Sequence, residues 1–253
     1  MIKEPAKARV LRLLWRLSGR KPRLEQFFSS LLTHRRYLPE CEAKEIIPRF
    51  EESEIRIKQC PLGAWSTPLV DLVVLLKGTL GFESKRILEL GSYRGDTARL
   101  LAENTGPETV ICAVDIDEQH GISYRGLPVA SRIRRKTGRI SPGLFGKDEK
   151  FDLIFVDANH DFASVMNDTD VAFGVLAEQG VILWHDYSPQ GYFSGLCGVP
   201  EALNQVAQRC AIYAIRGTWL AIYSSVNGWQ TKKLSGGKPA ASGSVWAEEG
   251  LRG

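Results

Sequence analysis

Glu89-Leu90-Gly91-Ser92-Tyr93-Arg94-Gly95 joins an apolar run, Arg86 to Leu90, to a helical pattern, Asp96 to Glu103. The run predicts a buried strand, and the pattern predicts the helix that follows it. An acid-x-Gly-x-x-x-Gly string occurs often by chance, so its position between a strand and a helix carries the information. Doubly wound sheets bind their ligands at such turns. The turn therefore predicts an α/β fold with a ligand site after its first strand.

Strands and helices alternate along the chain after this turn. Four more strand candidates follow, at Val110 to Val114, Arg132 to Lys136, Phe151 to Val156 and Val181 to Trp184. Helices are predicted at Leu69 to Leu80, with Thr67 as N-cap and Pro68 as the first helical residue, at Phe162 to Ala177 and at Pro200 to Gln208. Because near-continuous apolar strands alternate with helices, we expect a doubly wound, mostly parallel sheet covered on both faces.

The end of this pattern is different. Ala211 to Ile215 and Trp219 to Tyr223 both have the composition of strands, and the three residues between them are too few for a crossover. They predict a terminal antiparallel hairpin. The predicted organisation is a helical N-terminal extension over residues 1–58, one α/β domain over 59–225 and a flexible C-terminal tail over 226–253.

Positive charge is concentrated near the N-terminus. Residues 1–23 carry a balance of +7, so the net charge of +4 leaves −3 for the other 230 residues. An acidic body argues against general nucleic-acid binding by the main domain. Between Lys7 and Lys21, leucines and arginines fall on different faces of a predicted basic amphipathic helix. Such a helix suits docking on the domain or a partner protein, peripheral membrane contact, or targeting, and the sequence leaves the three open.

Composition excludes several other classes of protein. The chain has 253 residues, of which 43% are hydrophobic, and no apolar run reaches the roughly 18 residues of a membrane-spanning helix. The five cysteines are an odd number, lie far apart and form no Cys-x-x-Cys pair. This pattern argues against a disulfide framework or a zinc knuckle. Because no secretory signal pattern is present either, we expect a cytoplasmic protein.

The glycine turn does not suit a phosphate group. A dinucleotide site would need glycine two and five positions after Gly91, where this chain has Tyr93 and Asp96. A nucleoside ligand without phosphates is favoured instead. Asp115, at the end of the next predicted strand, is placed to accept both ribose hydroxyls, and Asp117 is the second choice. The alternative is that the glycines serve a tight turn and Asp115 a cap.

Through Glu89 to Gly95, the pair Val114-Asp115 and the terminal hairpin, the chain resembles the class I S-adenosylmethionine-dependent methyltransferases over roughly residues 65–225. The resemblance implies that the turn holds the amino-acid end of S-adenosylmethionine and that Asp115 holds its ribose. The cofactor-binding residues predicted in this way are Glu89, Gly91, Ser92, Gly95 and Asp115. Trp65, Ser66 and Ser92 are candidates for contact with the methionine carboxylate.

Two later strands end in paired acids and histidines. Asp157 and His160 follow one strand, and His185 and Asp186 follow the next. Because the carboxyl ends of parallel strands meet at one edge, these four side chains are expected to converge beside the methyl donor. Two carboxylates can hold a divalent cation that orients an acceptor hydroxyl and lowers its pKa, while His160 accepts the proton. The alternative is a set of loop and cap hydrogen bonds.

These strand ends, Asp-x-x-His and His-Asp-Tyr, resemble the small-molecule and sugar O-methyltransferases, with catechol O-methyltransferase as a more distant relative. The resemblance implies Asp157 and Asp186 as metal ligands and His160 as the catalytic base. His185 stands where metal-dependent relatives have an oxygen ligand. It is therefore either a third ligand, for a metal softer than Mg²⁺, or a neighbour outside the coordination shell. A requirement for metal is left open.

The expected function is S-adenosylmethionine-dependent methylation of a hydroxyl on a small molecule or sugar. A non-catalytic cofactor-binding or docking module, and a related non-methylating enzyme such as a hydroxylase, are the rivals, because fold does not fix the reaction. A nucleic-acid base methyltransferase is disfavoured, since the sequence has no Asn-Pro-Pro-Tyr-like strand end. A basic run from Arg132 to Arg139 is either a solvated edge or a contact for an anionic acceptor.

Overall fold

A computed structural model describes residues 38–57, 67–188 and 198–226. Their strands form one eight-stranded sheet with the order β1-β7-β8-β6-β5-β2-β3-β4. The strands are β1 (Glu40–Cys41), β2 (Arg86–Leu90), β3 (Val110–Asp115), β4 (Ile133–Thr137), β5 (Phe151–Val156), β6 (Leu176–Trp184), β7 (Tyr213–Ile215) and β8 (Ala221–Ser224). The α-helices are α1 (Ala43–Ile46), α2 (Leu69–Gly81), α3 (Asp96–Asn104), α4 (Phe162–Val175) and α5 (Val199–Val206), and 3₁₀ turns span Pro128–Arg132 and Pro142–Leu144.

The pairing confirms a doubly wound, mostly parallel sheet. β2 pairs in parallel with β3 on one side and with β5 on the other, so the chain reverses its direction of winding between these two strands. Ligands of open α/β sheets bind in the crevice at such a reversal, outside the carboxyl ends of the strands. The predicted terminal hairpin is also present, because β8 pairs antiparallel with both β7 and β6.

Alternate residues of the central strands bury opposite faces of the sheet. Ile87 of β2 packs in a cluster with leucines of α2 and α3, whereas Leu88 packs in a second cluster with α4 and α5. β5 does the same, with Phe155 in the first cluster and Ile154 in the second. A strand buried on both faces needs apolar residues throughout. This explains why β2 and β5 have the same bounds as the apolar runs that predicted them.

Two local predictions near the N-terminal side were wrong. The N-cap of α2 is Pro68 and not Thr67, whose hydroxyl instead lies 3.4 Å from a carboxylate oxygen of Asp157. The extension over residues 1–58 was expected to be helical, but Glu40–Cys41 within it pairs in parallel with β7 before the four-residue helix α1. A two-residue edge strand is too short to show an alternating pattern in sequence.

Other element ends differ from their predictions by a few residues. α4 ends at Val175, two residues early, and β6 begins at once at Leu176. The register between β5 and β6 shifts between Phe151 and Leu153, which accommodates the extra residues at the start of β6. The basic amphipathic helix and, apart from Val226, the C-terminal tail lie outside the described residues. None of the helices described is long and apolar enough to cross a membrane.

Candidate active site

The glycine turn after β2 lies against the end of β5. Gly91 has a φ of +92°, and a Cβ at this position would collide with the backbone carbonyl oxygen of Asp157. Gly95 has a φ of +84°, and a Cβ there would collide with the ring of Tyr124. Both positions therefore need glycine for conformation and for space. The result is a tight turn that brings the ends of β2 and β5 together at the reversal point of the sheet.

Asp115 closes the turn from the end of β3. Its two carboxylate oxygens accept hydrogen bonds from the backbone N–H groups of Tyr93, at 2.6 Å, and Asp117, at 2.9 Å. The backbone of Gly91 and Ser92 is held in turn by the carbonyl oxygen of Val114. These backbone groups thus fix Asp115 at the rim of the crevice. The predicted contact with a ribose would be made from this position.

Glu89 lies beneath the same turn and is 2% exposed. Burial raises its pKa to about 8, and the Ser92 hydroxyl opposes this rise. Among the described residues, its oxygen Oε2 has no hydrogen-bond partner. A buried carboxyl oxygen without a partner is costly, so this position favours a ligand that carries a hydrogen-bond donor.

Asp157, His160 and Asp186 converge at the ends of β5 and β6, as predicted. The Nε2 atom of His160 lies 3.4 Å from Oδ1 of Asp157 and 3.1 Å from Oδ2 of Asp186. The backbone carbonyl of His160 accepts a hydrogen bond from the N–H of Gly198, the N-cap of α5. The imidazole side chain remains 40% exposed. His160 is therefore held in place by two carboxylates and a backbone contact, and it is still accessible.

His185 occupies a different position from that of an open metal ligand. Its Nδ1 atom lies 3.2 Å from Oδ1 of Asp157 and 3.6 Å from Oδ1 of Asp186, and its Nε2 atom lies 3.0 Å from Oδ2 of Asp71. Both ring nitrogens thus already face carboxylates. The side chain is 7% exposed. The group of side chains that could hold a metal ion consists of Asp157, His160 and Asp186 and does not include His185, whose role as a ligand stays a prediction.

The charges of this cluster are strongly coupled. Burial opposes protonation of His185, but Asp157, Asp186 and Asp71 outweigh it and raise its pKa well above the ordinary value. Burial would raise the pKa of Asp157, but His185 and His160 hold that pKa well below its usual range. For His160, the hydrogen bond with Asp157 and the charge of Asp186 raise the pKa despite burial. Asp157 is therefore an ionised carboxylate between two imidazole rings.

The side chains present fit a divalent cation. One ligand atom from each of Asp157, His160 and Asp186 lies within 4.8 Å of the others. Two carboxylates and one imidazole suit transition metals better than Mg²⁺, which prefers oxygen ligands throughout. A cation here would compete with His185 for Asp157 and would occupy the Nε2 lone pair of His160.

Two adjoining cavities meet at Gly91, Tyr93 and Asp157. One has a volume of about 670 Å³ and extends past Asp115 and the segment after β4 to the first turns of α4. The other, about 340 Å³, is lined by Glu89, Ser92, Asp96, Thr97 and His160, among others. Ligands of drug size bind in clefts of these volumes. Four of the five residues predicted for cofactor binding line these cavities, and Gly95 is the exception.

Two residues of this site escaped the sequence analysis. Asp71 is an acid on the buried face of α2, and its spacing from His185 along the chain gives no pattern. Thr67, predicted as a cap, faces Asp157 instead. An acid on the apolar face of a helical pattern is the one signal that could have pointed to Asp71. Trp65 and Ser66 lie outside the described residues.

Comparisons with known proteins agree with this geometry. Residues 88–187 match the sequence model of a methyltransferase domain, family 24. A search of curated protein sequences gives no match. Among solved structures, the O-methyltransferase TomG from Streptomyces achromogenes, which is involved in tomaymycin synthesis and was determined in complex with SAM, is similar at 19% identity. The alignment covers 81% of this chain and 96% of that one, with a TM-score of 0.53.

Two further structures have the same architecture. An O-methyltransferase from Bacillus cereus in complex with SAH is 17% identical over 64% of this chain and 84% of that one, with a TM-score of 0.50. The SAH-bound methyltransferase PaMTH1 from Podospora anserina is 18% identical over 62% and 78%, also with a TM-score of 0.50. The match at residues 88–187 includes the glycine turn and both acid-histidine strand ends. This chain therefore has the class I S-adenosylmethionine-dependent methyltransferase fold, and its residues 88–187 are similar to a methyltransferase domain.

Proposed function

We propose that this protein transfers a methyl group from S-adenosylmethionine to a hydroxyl group of a small molecule or sugar. The observation that carries the proposal is the position of His160. Its accessible imidazole lies 3.1 Å from Asp186 and lines the smaller cavity together with the glycine-turn residues and Asp157. A base beside a donor cleft is the arrangement that hydroxyl methylation needs.

The cavities have the chemistry to bind this donor. The ionised carboxylate of Asp157 lines the smaller cavity, which therefore suits the positively charged ammonium and sulfonium groups of S-adenosylmethionine. Glu89 and Asp96 line the same cavity and offer further oxygen acceptors. The unpartnered Oε2 of Glu89 can accept a hydrogen bond from the ammonium group. The larger cavity, which contains Asp115, has room for the adenosine. Similar folds were determined with SAM or SAH bound, which supports the same donor here.

The donor supplies a methyl group on a sulfonium, so its C–S bond breaks as the C–O bond forms and sulfur leaves with the electron pair as a neutral thioether. The protein's tasks are alignment and removal of one proton. In the proposal, the imidazole of His160 accepts the hydroxyl proton on the ring nitrogen that does not face the carboxylates, and Asp157 and Asp186, which face Nε2, stabilise the resulting imidazolium. His160 then returns the proton to solvent.

A divalent cation would be held by Asp157 and Asp186. It would lower the pKa of the acceptor hydroxyl and orient it. His160 is close enough to be a third ligand, but as a ligand it could not accept the proton. Metal-assisted and imidazole-assisted deprotonation are therefore alternatives at this site. A chelator should slow methyl transfer by the first route, whereas for the second route it should free His160 from the cation.

Calorimetric titration with S-adenosylhomocysteine tests the proposal. The full-length protein is treated with chelator and titrated with and without Mg²⁺ or Mn²⁺. One-site binding at micromolar Kd is expected, and it would justify a screen of hydroxylated acceptors. Binding that strengthens with the cation would favour the metal-assisted route. Failure to bind in every condition would remove the methyltransferase proposal and leave a docking module of the same fold.

A further inference from the structure

Asp71 is a buried acid that reaches the active-site edge from helix α2. It is 1% exposed, and it lies in the first turn of a helix whose other buried positions are mainly apolar or small residues. We propose that Asp71 is a positioning residue, which fixes the Asp157 carboxylate beside His160 by holding the ring of His185. The inference rests on the proposed function, because it assigns Asp71 to the proton-accepting group of that reaction.

A continuous line of contacts connects Asp71 to His160. Oδ2 of Asp71 lies 3.0 Å from Nε2 of His185, and Nδ1 of the same ring lies 3.2 Å from Oδ1 of Asp157. Oδ1 of Asp157 also lies 3.4 Å from Nε2 of His160. One imidazole ring thus spans two carboxylates, and the second carboxylate touches the base. A movement at Asp71 can reach His160 without any change in the backbone of β5.

Asp71 is itself fixed at both oxygens. While Oδ2 faces His185, Oδ1 accepts a hydrogen bond from the backbone N–H of Trp219 at 3.1 Å. Trp219 lies in the turn between β7 and β8, and its backbone carbonyl accepts a hydrogen bond from Tyr187. The indole and imidazole rings of Trp219 and His185 lie with centroids 6.2 Å apart. The ring of His185 is therefore held from two sides, by the acid and by the hairpin turn.

Stability alone is a poor reason for this arrangement. Buried ion pairs contribute little compared with apolar residues of similar volume, because both groups lose their hydration. Neighbouring buried positions of α2, such as Leu72 and Leu75, pack apolar side chains against the sheet. An acid at position 71 gives what a leucine cannot, which is a directed contact on the far nitrogen of His185. That contact sets the orientation of the ring, as the acid does in other acid-histidine pairs.

The test is the NMR spectrum of histidine ring nitrogens in the full-length protein without ligand. The chain has four histidines, so each signal can be assigned with one substitution per residue. Asp71→Asn keeps the volume and an oxygen for Trp219 but removes the charge. We expect it to displace the ring signals of both His185 and His160. Asp170→Asn, an exposed acid on α4, is the matched control and should displace neither.

A double-mutant cycle tests whether the effect passes through His185. In a His185→Gln background, adding Asp71→Asn should leave the His160 signals where His185→Gln alone puts them. The double variant has no charge at position 71 or 185, so neither position leaves a buried charge unpaired. It can therefore be measured even if Asp71→Asn alone does not fold. The proposal is overturned if His160 is unaffected by Asp71→Asn, or if it is affected equally in the His185→Gln background. These readouts need no methyl transfer, so failure of the proposed function would show separately, as absent S-adenosylhomocysteine binding.

Discussion

The donor side of the crevice, at β2 and β3, and the chemical side, at β5 and β6, are held together by different kinds of contact. On the donor side, the backbone of the turn is held by the end of β3: the N–H groups of Gly91 and Ser92 donate to the carbonyl oxygen of Val114, and the N–H of Tyr93 donates to the Asp115 carboxylate. On the chemical side, side chains far apart in sequence meet, as His185 does with Asp71 over 114 residues. The first region is set by a turn and the second by packing.

This difference separates binding from chemistry. A backbone-held turn keeps its shape when one polar side chain changes, so substitutions there should alter donor affinity one contact at a time. In a coupled side-chain cluster, each member sets the position or charge of the next, so one substitution affects the whole cluster. We therefore expect large effects on turnover from β5 and β6, and moderate effects on donor binding from β2 and β3.

Loss of the base should have the largest effect. His160→Gln keeps a polar side chain of similar size but removes a group that can accept a proton at neutral pH. We expect kcat to fall by about 10² to 10⁴, the usual contribution of a general base. Affinity for S-adenosylhomocysteine should stay close to that of the unchanged protein. Formation of S-adenosylhomocysteine with an acceptor found by screening gives kcat, and calorimetry gives the affinity.

His120→Gln is the matched control for this experiment. His120 is buried in the loop after β3, lines neither cavity described above, and its ring nitrogens have no hydrogen-bond partner among the described residues. Transfer by this variant should be nearly normal. A His160→Gln variant that transfers methyl groups at full rate but binds the donor poorly would contradict the base assignment and make both sides of the crevice binding surfaces.

Loss of the ribose contact should have a moderate effect confined to binding. Asp115→Asn removes one acceptor for the ribose hydroxyls while an amide oxygen can still accept from the turn. We expect the Kd for S-adenosylhomocysteine to rise about tenfold, the equivalent of one hydrogen bond to a charged group. At saturating donor, kcat should be unchanged. Asp117→Asn, two residues along the same loop, is the control, and an equal loss of affinity there would move the ribose contact to Asp117.

The same contrast explains how much of the molecule could be predicted from sequence. The bounds of β2 and β5 were predicted without error, because strands buried on both faces leave uninterrupted apolar runs. The convergence of Asp157, His160 and Asp186 followed from the rule that parallel strands end at one edge. Local patterns and one rule of topology were enough for these residues.

The sequence could not predict which side chains of different elements contact one another in the cluster. Asp71 reaches His185 because α2 packs on the face of the sheet that carries Phe155, and no spacing in the chain encodes that contact. The role of His185 could not be decided for the same reason, since a ligand and a ring between two carboxylates have the same sequence. The contact between Thr67 and Asp157 also depends on how the elements pack. Because that contact leaves no pattern in the sequence, Thr67 was predicted to be a helix cap.

The last expected effect concerns the stability of the donor side. Burial raises the pKa of Glu89 from 4.5 to about 8, so between these values the folded protein keeps a proton that the unfolded chain has released. The contribution of Glu89 to stability is therefore fully present below pH 4.5 and is lost as pH rises through 8. The free energy of unfolding should fall by up to about 1.4 kcal/mol for each pH unit in this window.

Glu89→Gln removes this titration while keeping the shape of the side chain, so the decline in stability with pH should be shallower in the variant. Urea unfolding of both proteins between about pH 5 and pH 8.5 measures the difference. Glu108→Gln is the control, because Glu108 is exposed and its ion pair with Lys85 lowers its pKa, which places its titration below this window. Equal slopes for Glu89→Gln and the unchanged protein would mean that Glu89 is ionised throughout. The donor side would then carry a buried charge and would resemble the chemical side more closely than its backbone contacts indicate.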